Sequence, residues 1–64
     1  MNNLTKQVLD IVDDVYCVTE STLKHFYFAS HDNREVQMAI DELVDFREVS
    51  TGRNMLGRTL VSNK

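Results

Sequence analysis

The stretch REVSTGRNMLGRTLVS (residues 47–62) decides between two very different proteins. Gly52, four intervening residues, Gly57, and then Arg58 and Thr59 fall close to the G-x-x-x-x-G-K-[ST] spacing of a phosphate loop. Such a loop needs a strand before it and a helix after it, because the amides of that helix's first turn hold the phosphate. Only seven residues follow Gly57, and they alternate in the manner of a strand, with Leu60 set against Thr59 and Val61. Arg58 also stands where the motif has Lys. On the other side, Glu48 and Ser50 alternate with Val49. The segment therefore reads as a β-hairpin, with strands over 47–50 and 58–62 joined by a loop that holds both glycines of the chain.

Upstream of the hairpin the period changes from two to that of a helix. Val36, Ala39, Ile40, Leu43 and Val44 make one apolar stripe, with Phe46 near its end, and predict a helix over 33–46. Asp32 and Glu35 stand in the spacing of a capping box at its start. Its outward side carries Arg34, Met38, Asp41 and Asp45, with Gln37 and Glu42 on the flanks. A second helix over 20–28 follows Thr19 as N-cap, with Glu20 in the first turn and Leu23, Phe26, Tyr27 and Phe28 as a core cluster. Leu4, Val8, Ile11, Val12 and Val15 set a first helix over 3–14, capped by Asn2, Asn3 or Thr5. Between the first two helices, Val15-Tyr16-Cys17-Val18 suits a brief extended segment.

A chain of 64 residues is one domain, too small for a doubly wound sheet with a nucleotide crevice. With 42% hydrophobic residues it is nevertheless composed to fold. Cys17 is the only cysteine, so no intrachain disulfide forms; it reads as a small buried residue in a reducing, cytoplasmic setting. His25 and His31 lie six apart and predict no metal site. Acidic residues arrive too early for a signal peptide, and no apolar run approaches membrane-spanning length. No nucleophile–base–acid spacing and no cofactor motif is present, so the expectation is a binding protein without a cofactor and not an enzyme.

The order helix, short strand, helix, helix, hairpin resembles the winged helix-turn-helix fold over nearly the whole chain, giving a mainly helical α+β class. Residues Leu4 to Val15 match its first helix, VTESTLKHFYF (18–28) its second, NREVQMAIDELVDF (33–46) its third and REVSTGRNMLGRTLVS (47–62) its wing. LTKQVLDIV, FYF and MAIDELVDF are similar in their apolar spacing to the N-terminal module of replication-relaxation and related plasmid or phage winged-helix proteins. The resemblance implies a regulator of transcription or replication that binds double-stranded DNA, reading the major groove with the start of the third helix and touching the backbone or the minor groove with the wing. A single small half-site gives little affinity, which implies a homodimer.

Charge supplies an independent test. Residues 1–46 hold three cations against nine acids, whereas residues 47–64 hold four cations against one acid. Positive charge is thus concentrated where this fold meets phosphates. Asn33, Arg34, Gln37, Met38, Arg53 and Arg58 are the expected DNA-contacting residues. Simpler roles are open to two of them, Arg34 as a surface ion pair with Glu35 and Arg53 as a solvated loop tip. Asp41 and Asp45 repel phosphates from the third helix's outer face, so that helix either enters the groove by its N-terminus or does not enter. The alternative is a protein-binding winged helix, an inhibitor or adaptor, that docks a basic partner on Asp10, Asp14, Asp41 and Asp45.

Overall fold

The computed structural model describes residues 2–64 as three helices and a three-stranded antiparallel sheet. Helix α1 (Asn3–Val15) begins at Asn2, whose side chain accepts the Thr5 N–H at 2.8 Å. Of the expected cap candidates, Asn2 is the one used. Helix α2 (Glu20–Thr22) starts at Thr19, whose hydroxyl accepts the Thr22 N–H, and passes into a π-helical segment, Leu23–Tyr27. Helix α3 (Asn33–Asp45) is capped by Asp32, whose carboxylate takes the N–H of Arg34. The strands are β1 (Cys17–Thr19), β2 (Val49–Arg53) and β3 (Thr59–Asn63). They lie in the order β1-β3-β2, with Val61 opposite Val18 on one side and Thr51 on the other.

The core follows from these faces. Val8 and Val12 of α1 meet Val36, Ala39, Ile40 and Leu43 of α3, and Val18, Val49 and Val61 close the layer from the sheet. Leu4, Ile11, Val15 and Val44 pack half-buried at its edge. Because strand side chains alternate, Val18 takes the inward place in β1 and Cys17 is turned out. The expectation of a buried Cys17 is corrected on that ground.

Two departures from regular spacing shape the rest. In the second helix the Phe28 N–H bonds the Leu23 carbonyl at 2.9 Å, an i→i+5 link that adds one residue to the turn. Leu23 and Phe28 therefore share the buried face, while Phe26 is 74% exposed and Tyr27 partly so, the two rings meeting edge to face. The expected core cluster is thus halved. At the end of α3, Arg47 has φ 58° and the Arg47 and Glu48 amides bond back to the carbonyls of Val44 and Leu43. This pair of bonds is the Schellman closure, with an arginine where glycine is usual. Residues 47 and 48 consequently finish the helix, β2 begins at Val49 rather than 47, and Phe46 is left exposed.

Both departures have measurable consequences. Phe28→Ala removes about 3–5 kcal/mol, comparable to the whole stability of a core this small, so its urea unfolding baseline is largely lost at 25 °C. Phe26→Ala changes the midpoint by less than about 0.5 kcal/mol. Arg47→Gly relieves the left-handed conformation and raises stability by about 0.5–1 kcal/mol in the same titration; a lower midpoint refutes the assignment of strain there.

Candidate nucleic-acid interface

The start of α3 places Asn33 and Arg34 on the surface, and among the described residues no carboxylate lies within 4.0 Å of any of the four arginines. Arg34 is therefore not paired with Glu35. Its guanidinium, with five donors in a planar fork, is free for a phosphate or a base edge.

Gln37 is in a different situation. Its Oε1 accepts from Lys24 Nζ at 2.6 Å, and its Nε2 donates to Asp41 Oδ1 at 3.0 Å and, more distantly, to Glu20 Oε2 at 3.5 Å. Lys24 also lies 3.8 Å from Glu20 Oε1. The amide orientation is chemically consistent, oxygen toward the ammonium and nitrogen toward carboxylates. Both polar ends are occupied, so Gln37 braces α3 against α2. Reading a base would require breaking those bonds.

Met38 takes the other flank of α3. It lines an open groove of about 360 Å³ with Asn2, Asn3, Leu4, Glu35, Ala39 and Glu42, between the start of α1 and α3. Asp45 ends the helix at its exposed side, and Asp10 and Asp14 lie on the exposed side of α1. The six residues expected at DNA are thus divided: Asn33 and Arg34 at the tip of α3, Gln37 toward α2, Met38 toward α1, and Arg53 and Arg58 on the hairpin.

The hairpin loop is shorter than the sequence spacing predicts. β2 runs through Gly52 to Arg53, which pairs with Thr59, leaving residues 54–58 for the connection. Asn54 organises it. Its N–H bonds the Arg58 carbonyl, its carbonyl accepts from Gly57, and its side-chain oxygen accepts from Leu56 and Arg58 at 2.9 and 3.0 Å. The bonded Asn54 and Arg58 enclose a three-residue loop, 55–57, and Gly57 at its end has φ 79°, the left-handed position that completes loops of that length. Of the two glycines expected to shape the loop, Gly57 does so, and the expectation for Gly52 is corrected, since it is a strand residue paired with Leu60.

At the base of the loop, Arg58 and Thr59 line an open hollow of about 270 Å³ with Glu20, Ser21, Lys24 and His25 of the second helix. A cation from the basic end of the chain thus shares a hollow with Lys24, His25 and Glu20 from its acidic half. Arg53, paired with Thr59 across the ladder, shares that face of the sheet. Lys24 and His25 are not among the residues the sequence predicts for this surface: they stand in an aromatic run that reads as core, and the residues that share their hollow and their bonds come partly from other elements.

Replacing Asn54 with Ala removes the acceptor of two amides. We expect a loss of about 1 kcal/mol, with faster hydrogen exchange at Leu56 and Arg58 and none of that change at Val61. Among the described residues no three His, Cys, Asp or Glu side chains are grouped to hold a metal, and no helix is long and apolar enough to cross a membrane. Comparison with protein-family models, with curated proteins and with solved structures gives no match, so the reading of this surface rests on the chain's own geometry.

Proposed function

We propose that the chain is a winged-helix module that binds double-stranded DNA as a regulator of transcription or replication, acting in the cytoplasm as a homodimer. The order α1-β1-α2-α3-β2-β3 and the sheet order β1-β3-β2 support the fold reading. One observation carries the functional reading: Arg58 of the hairpin lines the same open hollow as Lys24, His25 and Glu20 of the second helix, and Lys24 is bonded to Gln37 of α3. The hairpin, the second helix and α3 are linked in this way, and Arg34 and Arg58 have no carboxylate partner among the described residues.

Distance decides whether the acids forbid this. At 1.5 Å per residue, Asp41 lies about 10 Å and Asp45 about 16 Å along α3 from Arg34. The Debye length at physiological salt is about 8 Å, so a helix entering the groove by its first turn keeps both carboxylates screened from the phosphates it meets. Asp41 is moreover held by Gln37, which is itself bonded to Lys24. Asn33 and Arg34 are the base-reading residues of this arrangement, and Arg53 and Arg58 the phosphate contacts.

A second reading has its own observation. Met38, 64% exposed, lies in the α1–α3 groove among Glu35 and Glu42, a setting that suits a basic amphipathic segment of a protein partner. Asp10 and Asp14 on α1 and Asp41 and Asp45 on α3 are exposed as well and belong to the docking surface of this second reading.

The two readings separate in one experiment, retention of a random-sequence duplex pool at two salt concentrations followed by sequencing. DNA binding predicts a common half-site, affinity falling steeply with salt, and a salt slope reduced by about one for Arg53→Ala. Arg34→Ala relaxes the half-site sequence, and Asp45→Lys, which leaves the Gln37–Asp41 bond intact, does not weaken DNA binding, whereas it would weaken docking of a basic partner. No retention at low salt overturns the DNA reading and leaves the acidic groove as the docking surface.

A further inference from the structure

The hairpin tip carries an apolar pair that none of the described residues covers. Leu56 is 79% exposed and Met55 fully so, whereas every buried apolar residue belongs to the helices, the strands or Phe28. Exposure of this kind in an ordinary loop is unremarkable. Here the loop is fixed. The amides of residues 56, 57 and 58 all bond to Asn54, and Gly57 closes the turn in the left-handed region, so the two side chains project from a braced tip. Arg53 and Arg58 flank them, and neither has a carboxylate within 4.0 Å among the described residues.

We infer that Met55 and Leu56 form a wedge that enters the DNA minor groove and partly unstacks a base step, while Arg53 and Arg58 clamp the phosphates on either side. This deepens the DNA-binding reading and rests on it. Leu and Met are among the side chains that insert between base steps, and the groove, about 6 Å wide, admits side chains from the end of a ribbon. Two further features fit that occupant. Gly52 has open space where a Cβ would stand, so the ribbon is thin just behind the tip. The guanidinium groups supply the attraction that two apolar side chains lack, and a narrow minor groove concentrates the negative potential they seek. A lipid surface offers anions as well, but two side chains on a chain of net charge −3 bury too little to hold the protein there. The wedge predicts a preference for pyrimidine–purine steps, which unstack most readily.

The test uses the whole chain and a short duplex carrying 2-aminopurine at a central TA step, with a dye pair at its ends. Binding of the wild type should raise 2-aminopurine fluorescence and shorten the end-to-end distance. Met55→Ser with Leu56→Ser should lose both signals and weaken binding about tenfold, the equivalent of ~1.4 kcal/mol, with the salt slope unchanged. Its thermal midpoint should match the wild type, because the tip packs against nothing. Arg58→Ala should instead lower the salt slope by about one. Salt-dependent duplex binding with no fluorescence change, and equal affinity in the double variant, overturns the wedge while the DNA reading stands. Absence of duplex binding overturns both, and serine-sensitive binding to phosphatidylglycerol vesicles in that case assigns the tip to lipid.

Discussion

The seating of Val61 between Val18 and Thr51 is the constraint on which the rest of this small fold depends. Strand β3 is the central strand, paired on both sides, and through it the short β1, 45 positions away at the Cys17–Ser62 pair, joins the hairpin. Closing a loop of that length costs on the order of 3 kcal/mol in chain entropy. Burial of Val18, Val49 and Val61, at about 1.5–3 kcal/mol each, offsets it. The hairpin alone would gain only part of this. Its inner face acquires a core when α1 and α3 supply Val8, Val12, Ile40 and Leu43 beneath it. The basic segment of the chain is thereby locked to the acidic one, and the juxtaposition of Arg58 with Lys24 follows from the core.

What the sequence discloses is mostly local. The stripes of α1 and α3 repeat at helical spacing and their caps, Asn2 and Asp32, stand at the expected starts. Thr19 caps the second helix for the same reason. What it hides involves a choice among nearly equal alternatives. Leu23 could share a face with Phe26 and Tyr27 by an α-turn or with Phe28 by a π-turn, and apolar spacing alone favours the first. The core selects the second. Arg47 conceals the end of α3 because the left-handed closing position is normally marked by glycine, and here it is not. Cys17 and Val18 are both apolar enough to be buried, and only the register with β3 determines which one faces in.

The candidate surface divides along the same line. Arg53 and Arg58 are legible as hairpin cations because charge is a property of composition. Lys24 is not, since its role comes from Gln37, 13 positions away on another helix. Gln37 illustrates the limit of helical-wheel reasoning. The wheel places it on the flank of α3's exposed side, which is correct, but that flank is occupied by α2, and the side chain is spent on Lys24, Asp41 and Glu20.

Bracing of this kind changes what specificity can cost. A side chain already bonded to a cation and a carboxylate offers little to a base, yet it fixes the angle between α2 and α3 and so the direction in which Asn33 and Arg34 project. Asn54 does the same for the hairpin, its oxygen atoms holding the amides of residues 56–58. Fixing a loop in advance removes an entropy penalty of about 1–2 kcal/mol per residue that would otherwise fall on binding. In a core too small to supply much stability, polar side chains are placed where they orient the surface. Asp41 belongs among them. As an acceptor for Gln37 its carboxylate keeps Lys24 and the second helix in place, so a charge that opposes DNA when considered alone supports the geometry that brings the cations together.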